Sequence, residues 1–576
     1  MSPTGAKSEL STAETACHAT PEEVGLRVEN IPFDQIPQQS KLFLDYLRDP
    51  FSLQRFYPEV VKHHYDLPDR RDRVLAHYRT DRARLCATLE KMNRSWGASE
   101  KTIQHIARLG ESDCIAVVTG QQAGLFSGPL YTIYKALSAI KLAECLTQRG
   151  VKAVPVFWIA SEDHDFEEVA TAEFINRDCT LSSASVAGET HRDGMPVGSV
   201  TLDETIRGVV DDLLRSLPQT EFAGELRSLL HDSYSPQQRF SDAFARMMAR
   251  LTAVRGLILL DPLDANLKQM AAPLYAEAAR RAPEIAQAIV NRSRELVEAG
   301  YHAQVTPSEN AFPLFLHDAN GARRALLRNA NGEYGQKPDR AGGSPGEQFS
   351  TDELAELALR EPNRFSPNVT LRAVVQDYLL PTIAYYGGSA EVAYFAQTSE
   401  VYRILDRPVT PILARRSLTF VEKHTWRSLE RYGVRLQDFF AGSDHVIGRV
   451  VEKYLSKETA ETFEHTTESF NRELDVLQDQ LRRADPTLAD ALDKGRRKIN
   501  YQIDGLRTRF NRSQIARDEA VRRQLEHAFD LLYPQKTLQE RHINITSFIA
   551  RHGLYFIDWI FDAIELETND HNVVYL

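Results

Sequence analysis

Cysteine is scarce in this chain. Cys17, Cys86, Cys114, Cys145 and Cys179 are scattered through 576 residues, and none forms a CxxC pair. That spacing supports neither a disulfide framework nor a cysteine zinc site. It makes cytoplasmic residence the default expectation. Long apolar runs are missing too. No stretch reaches the roughly eighteen residues that a membrane-spanning helix needs, so no membrane partner is expected. The opening MSPTGAKSELSTAETACHAT lacks the apolar core of a signal peptide and reads as a disordered tail. Basic excess is also absent. With a net charge of −11 and a pI near 5.9, the chain lacks the field that nucleic acid would need.

What is present is ordinary globular composition, 42% hydrophobic and 26% charged. The length suggests about three structural units. The densest information lies in Val117–Glu168. There an apolar run, Ile115–Val118, enters a loop holding Gly120, Gln121, Gln122, Gly124, Ser127 and Gly128. A helix follows, with Leu130, Ile133, Tyr134, Leu137 and Ile140 on one face and Gly150 as its stop. Ser127 is placed to cap that helix, with Pro129 in its first turn. A second apolar run, Val154–Ile159, ends in Ser161-Glu162-Asp163-His164-Asp165. This is one βαβ unit with polar residues at both strand ends, where open α/β sheets bind ligands. The loop fits neither GxxxxGKS/T nor GxGxxG. Its glycines either make a tight turn or let the backbone approach an anion.

The rest of the chain extends this plan. After the tail (1–25), a strap and helices fill 26–110, and the first part of the core fills 111–190. A helical insertion follows at 191–250, with helical stretches at Leu213–Leu230 and Phe240–Leu251. The core resumes at 251–300 with Leu257–Leu260 as a strand and helix over 267–299. A small β-containing insertion spans 301–365, with Asn320-Gly321 as a hairpin signal and Ser350–Glu353 as a capping box. The last part of the core, 366–445, carries a dense polar stretch, Asn368–Gln397, then the strand Val409–Leu413 and Arg415-Arg416-Ser417. In 446–531, Phe463, Phe470, Leu474, Leu477 and Leu481 fall at heptad steps before Asp485-Pro486. Ile499, Ile503, Leu506 and Phe510 resume the pattern after it. That predicts an antiparallel coiled-coil hairpin that braces the molecule or forms a homodimer. Residues 532–576 are apolar again and should pack back on the body. The predicted class is α/β: a Rossmann-like parallel-sheet core of the class I nucleotidyltransferase-like plan, with connecting insertions and a C-terminal helical hairpin.

Four blocks, GQQAGLFSGPLYTIYKA, PVFWIASEDHDFEE, NVTLRAVVQDYLLPTIAYYGG and PILARRSLTFVE, closely resemble the bacillithiol biosynthesis cysteine-adding enzyme family in collinear order. The resemblance runs from about residue 30 to the end. It implies a cysteine ligase that joins the cysteine carboxyl group to the amine of glucosaminyl-malate, on a Rossmann-like core with a dimer-forming coiled coil. Family members usually carry Gly-Gly-Pro-Gly-Glu where this chain has Gly387-Gly388-Ser389-Ala390-Glu391, and Ala373 stands where proline is common.

Amide formation from a carboxylate needs activation, which ATP could supply; the cofactor is otherwise unknown. Such chemistry is mostly positioning and charge stabilisation. Arg372 and Arg415 are the candidates for carboxylate or phosphate, where a planar bidentate fork matters. Asp163 and Glu162 are candidates for an ammonium group or sugar hydroxyls, and His164 for the general base. The expected substrate contacts are Gln121, Gln122, Gly124, Ser127, Gly128, Tyr131, Glu162, Asp165, Asn368, Gln376, Asp377, Gly387, Gly388, Glu391 and Tyr394. Arg415 and Ser417 occupy the place of a nucleotide-binding loop. Asp163, His164 and Asp165 are metal-ligand types, but neighbours on extended backbone point to opposite sides, so no metal is assigned. Two other readings remain: an enzyme of the same plan activating another small carboxylic acid, and a non-catalytic synthetase-like module that binds a ligand and dimerises.

Overall fold

The structure, a computed structural model, describes residues 25–61, 63–187, 191, 193–336 and 347–576. The tail expected over 1–25 lies outside the described residues except for Gly25, as does Gly342-Gly343 of the β insertion.

Five parallel strands form the central sheet: β1 (Ile115–Gln121), β2 (Ala153–Ile159), β3 (Ile258–Leu260), β4 (Thr382–Gly387) and β5 (Ile412–Ala414). Their order is β5-β4-β1-β2-β3. Strands β2, β3 and β4 are buried along their whole length, as a parallel sheet covered on both faces requires. The connection from β1 to β2 is α1 (Leu130–Gln148). Its exposed face is so small that Lys135 and Lys141 are buried with the apolar stripe.

The β2–β3 connection holds a two-stranded antiparallel ribbon, Thr171–Ile175 with Leu181–Ser185, and, after it, the helices Thr205–Ser216, Ala223–Ser233 and Phe240–Leu251. The single helical stretch expected over 213–230 is therefore two helices. Pro218 lies in the break and cannot supply a helical N–H. The expected 267–299 helix is likewise split at Arg281, into Ala265–Arg280 and Ala282–Glu298. The β3–β4 connection then carries a five-stranded antiparallel sheet built on Ala311–His317, Arg323–Arg328, Tyr334–Gln336, Gln348–Phe349 and Phe365–Pro367. α2 (Val369–Leu379) leads from it into β4, and α3 (Ser389–Ile404) leads on to β5.

Past β5 the chain builds a second sheet. Ser417–Val421 pairs in parallel with His571–Tyr575, which pairs antiparallel with Arg27–Ile31. The hairpin follows as α4 (Lys457–Ala484) and α5 (Pro486–Arg517). Its contacts fix an antiparallel register. The Phe463 and Phe510 rings lie 5.8 Å apart, Asn500 Nδ2 donates to Asn471 Oδ1 at 3.2 Å, and Arg496 Nη1 donates to Asp475 Oδ1 at 2.6 Å.

Candidate functional site

From β1 the sheet grows in one direction through β2 and β3, then the chain crosses over to lay β4 on the other side of β1. Strand order reverses between β1 and β4, the place where open parallel sheets hold ligands beyond their carboxyl ends. A cleft of about 820 Å³ opens there.

Its floor is a hydrogen-bonded chain that ties the two loops together. Lys135 reaches up from α1 and donates to Gly120 O at 3.0 Å, to Gln121 Oε1 at 2.9 Å and to the Glu391 carboxylate. All three ammonium protons are thereby used. Glu391 also accepts the Gly388 N–H at 2.7 Å and the Tyr385 hydroxyl at 2.5 Å. Burial alone would push its acid up; Lys135 and the Gly388 N–H outweigh that and hold it below the usual range. Arg372 then donates to the hydroxyls of Tyr385 (3.3 Å) and Tyr394 (3.1 Å), and to Gln376 Oε1 (3.2 Å). Burial opposes its charge, but the two phenols and Glu391 more than compensate.

Another part of the lining is acidic. The Gln122 amide donates to Asp163 Oδ2 and Glu168 Oε2, both at 2.8 Å. Buried Glu162 pairs with buried Lys268 at 2.8 Å. Arg323 from the β insertion also lines the cleft, its guanidinium 3.8 Å from the centre of the Phe315 ring. The mouth includes Arg541 and His542 from the C-terminal segment.

Of the residues singled out from sequence, Gln121, Gln122, Tyr131, Glu162, Asp163, Asn368, Arg372, Gly388, Glu391, Tyr394 and Arg415 line this cleft. The others do not. His164 is exposed at the strand tip, its Nδ1 3.6 Å from Asp163 Oδ1. Asp165 caps the short helix Phe166–Val169 through a 3.3 Å bond from Glu168 N. Gly124, Ser127 and Gly128 are buried in a turn folded on itself. The anion-cradle arrangement is not what this turn presents: Asn544 Nδ2 donates to the carbonyls of Phe126 (2.8 Å) and Gly128 (2.7 Å). A Cβ on Gly124 would stand 2.7 Å from Gly128 Cα, so close backbone crossing explains these glycines. Ser127 has φ +75° and does not cap α1, whose first N–H instead donates to Ile543 O at 3.0 Å. Gln376 and Asp377 stand behind Arg372. Buried Gln376 donates to Asp377 at 3.0 Å, and Tyr402 donates to Asp377. Gly387 ends β4, where a Cβ would meet Ile412 at 2.8 Å.

Ser417 is buried in the second sheet. It donates to Glu540 Oε1 at 2.8 Å and sits 2.7 Å from His571 Nδ1. Arg415 Nη2 donates to the same Glu540 oxygen at 2.7 Å. Neither residue is arranged as a free nucleotide-binding group.

Sequence reading missed Lys135, Glu168, Arg323, Tyr385, Arg541 and His542. A lysine inside the apolar stripe of α1 was a visible signal for the first. Arg323 and the C-terminal pair reach the cleft only through tertiary packing and carried no local signal. Among the described residues, no group of three or more His, Cys, Asp or Glu side chains is placed to hold a metal ion. No helix among them is long and apolar enough to cross a membrane.

Two family models cover nearly all of this architecture. "Bacillithiol biosynthesis BshC, N-terminal Rossmann-like domain" matches residues 26–416, and "Bacillithiol biosynthesis BshC, C-terminal coiled-coil domain" matches 418–576. The chain belongs to the BshC family. Relatives include proteins named "Putative cysteine ligase BshC" from Koribacter versatilis and Solibacter usitatus. The first is 37% identical, covering 92% of this chain and 97% of the relative; the second is 36% identical, covering 94% and 98%. A Bacillus cereus protein of the same name is 28% identical, covering 94% of this chain and 99% of its own. Within this BshC chain, Ser389 and Ala390 simply open α3. Glu391 keeps its bond to Gly388 N at 2.7 Å without proline or glycine between them.

Proposed function

We propose that this chain joins L-cysteine to glucosaminyl-malate through an amide bond, the last step of bacillithiol biosynthesis. One observation carries the reading. A single cleft holds carboxylates oriented by Gln122 beside guanidinium groups that have no carboxylate partner among the described residues. That pattern complements a substrate bearing both an amine and carboxylates.

In this reading Asp163 and Glu168 hold the aminosugar ammonium and take its proton, so that the neutral amine attacks the activated cysteine carbonyl. The C–N bond forms as the activating group leaves. Arg372 holds an anion, its fork preset by Tyr385 and Tyr394. His164 stands outside the lining and is given no role. ATP, or another activating cosubstrate of that class, supplies the driving force when bound. Arg415 and Ser417 are committed to Glu540 and receive no step in its handling.

The same reading includes a homodimer formed through the hairpin, where Val476, Leu477, Leu488, Ile499, Tyr501 and Leu506 are exposed, and residence in the cytoplasm. The decisive assay combines purified protein, cysteine, glucosaminyl-malate and one candidate cosubstrate at a time, with bacillithiol read by mass spectrometry. Absence of product with every cosubstrate overturns the reading.

A further inference from the structure

We propose that Arg323, carried on the β-rich insertion, binds a carboxylate of the anionic substrate and thereby sets the preference for an acidic aminosugar over a neutral one. This rests on the functional reading above for the identity of the sugar. The anion site itself has its own readout.

The placement of Arg323 is built rather than incidental. Its backbone N–H donates to Gly194 O at 2.7 Å, joining the two insertions at the edge of the cleft. Its Nε donates to Ser366 Oγ at 3.0 Å and its Nη2 to Pro367 O at 2.6 Å, while Phe315 supports one face of the guanidinium at 3.8 Å. A guanidinium has about five N–H donors. These bonds use one on Nε and one on Nη2, and the Nη1 donors have no partner among the described residues.

The nearby acids are already served. Lys268 pairs with Glu162, and the Gln122 amide holds Asp163. No carboxylate among the described residues lies within 4.0 Å of Arg323. Arg372 shares this lack of a contacting carboxylate but spends its donors on Tyr385, Tyr394 and Gln376, and the remaining cleft cations differ. Lys135 is consumed by Glu391 and Arg415 by Glu540, and Arg541 is exposed at the mouth. Arg323 is therefore a part-buried, fixed fork with spare donors; Glu162 and Asp163 act on it through space, but no carboxylate among the described residues is in contact with it, an arrangement suited to a ligand carboxylate.

Position adds a second argument. Pro367, which holds Nη2, immediately precedes Asn368, the cap of α2, and Arg372 lies one turn further on. The two guanidinium groups thus flank one strand–helix junction, and Asp163 shares the cleft lining with them. A bare phosphate would meet those acids unfavourably. An aminosugar that carries carboxylates can place its amine by Asp163 and an acid group by Arg323.

The test uses titration calorimetry on the full chain with three probes: L-malate, glucosaminyl-malate and methyl glucosaminide, which lacks both carboxylates. Arg323→Gln is expected to weaken L-malate and glucosaminyl-malate roughly 10- to 100-fold while leaving methyl glucosaminide unchanged. Arg323→Lys should recover part of the loss, and steady-state assays should show the change in KM rather than kcat. The proposal is overturned if wild type binds no L-malate, if the Gln variant binds it as wild type does, or if all three probes weaken together. A wild type that binds malate through Arg323 yet makes no bacillithiol would overturn the functional reading alone.

Discussion

Arg372 and Glu391 sit in one hydrogen-bonded chain but do different work. Arg372 faces the cleft with a fork held by two phenols, so its geometry matters as well as its charge. Arg372→Lys keeps the charge and loses the fork. We expect kcat/KM to fall by roughly 10- to 100-fold with little change in the unfolding midpoint, and kinetics set beside thermal melts will check both. Glu391 is structural first. Glu391→Gln strands the buried Lys135 ammonium and should cost about 3–5 kcal/mol in chemical denaturation. Combining it with Lys135→Met should recover part of that loss, because the pair is then removed rather than broken. This part of the site was half legible in the sequence. Arg372, Glu391 and the two glutamines stand in recognisable blocks. Lys135, which joins them, was passed over: a lysine in an apolar helix is a signal, but nothing local says which way its long side chain will turn.

Helix α2 joins the β insertion to the sheet, and its start is fixed by Asn368. The Asn368 Oδ1 accepts from Thr370 N at 3.1 Å and Leu371 N at 3.0 Å. Asn368→Ala should cost about 1 kcal/mol, whereas Asn368→Asp should keep the cap and near-wild-type stability. Denaturant titration of the two variants separates these outcomes. Strand β4 shows where element-level reading stops. It lies beside β1 in the middle of the sheet, yet Thr382–Gly387 was absorbed into a polar stretch. Its tyrosines are fully buried, and Tyr385 directs its hydroxyl to Glu391, so residues that look polar in sequence form a core strand. The strands β1 and β2 were readable because each is built on a continuous apolar run.

At the scale of the whole molecule, the two ends of the described chain meet in the second sheet, and His571 sits inside it. Burial pushes its imidazole down to about 4 from 6.5, against the pull of Glu540. Its Nδ1 lies 2.7 Å from Ser417 Oγ and its Nε2 2.9 Å from Thr419 Oγ1. Between those two values the unfolded chain binds the extra proton and the folded chain does not. Stability is therefore expected to fall as pH drops from 6.5 towards about 4, by up to about 3 kcal/mol from this group. Denaturation midpoints across that range should flatten in His571→Asn. The hairpin supplies the other whole-molecule expectation. Sedimentation of the full chain should give a dimer, and Leu506→Asp combined with Tyr501→Asp should give a monomer with the site intact. The hairpin was legible from its heptads. The convergence of the β insertion and the C-terminal segment on one cleft was not, because it depends on contacts hundreds of residues apart.

The Asn544 side chain pins the turn after β1, and His571–Tyr575 is the middle strand of the second sheet. A ribosome therefore delivers the catalytic half of this molecule long before it delivers the pieces that fasten it. A nascent polypeptide stalled between residues 415 and 544 carries most of the lining residues but cannot lock the loop beneath them. The turn after β1 is thus fastened only near the end of translation.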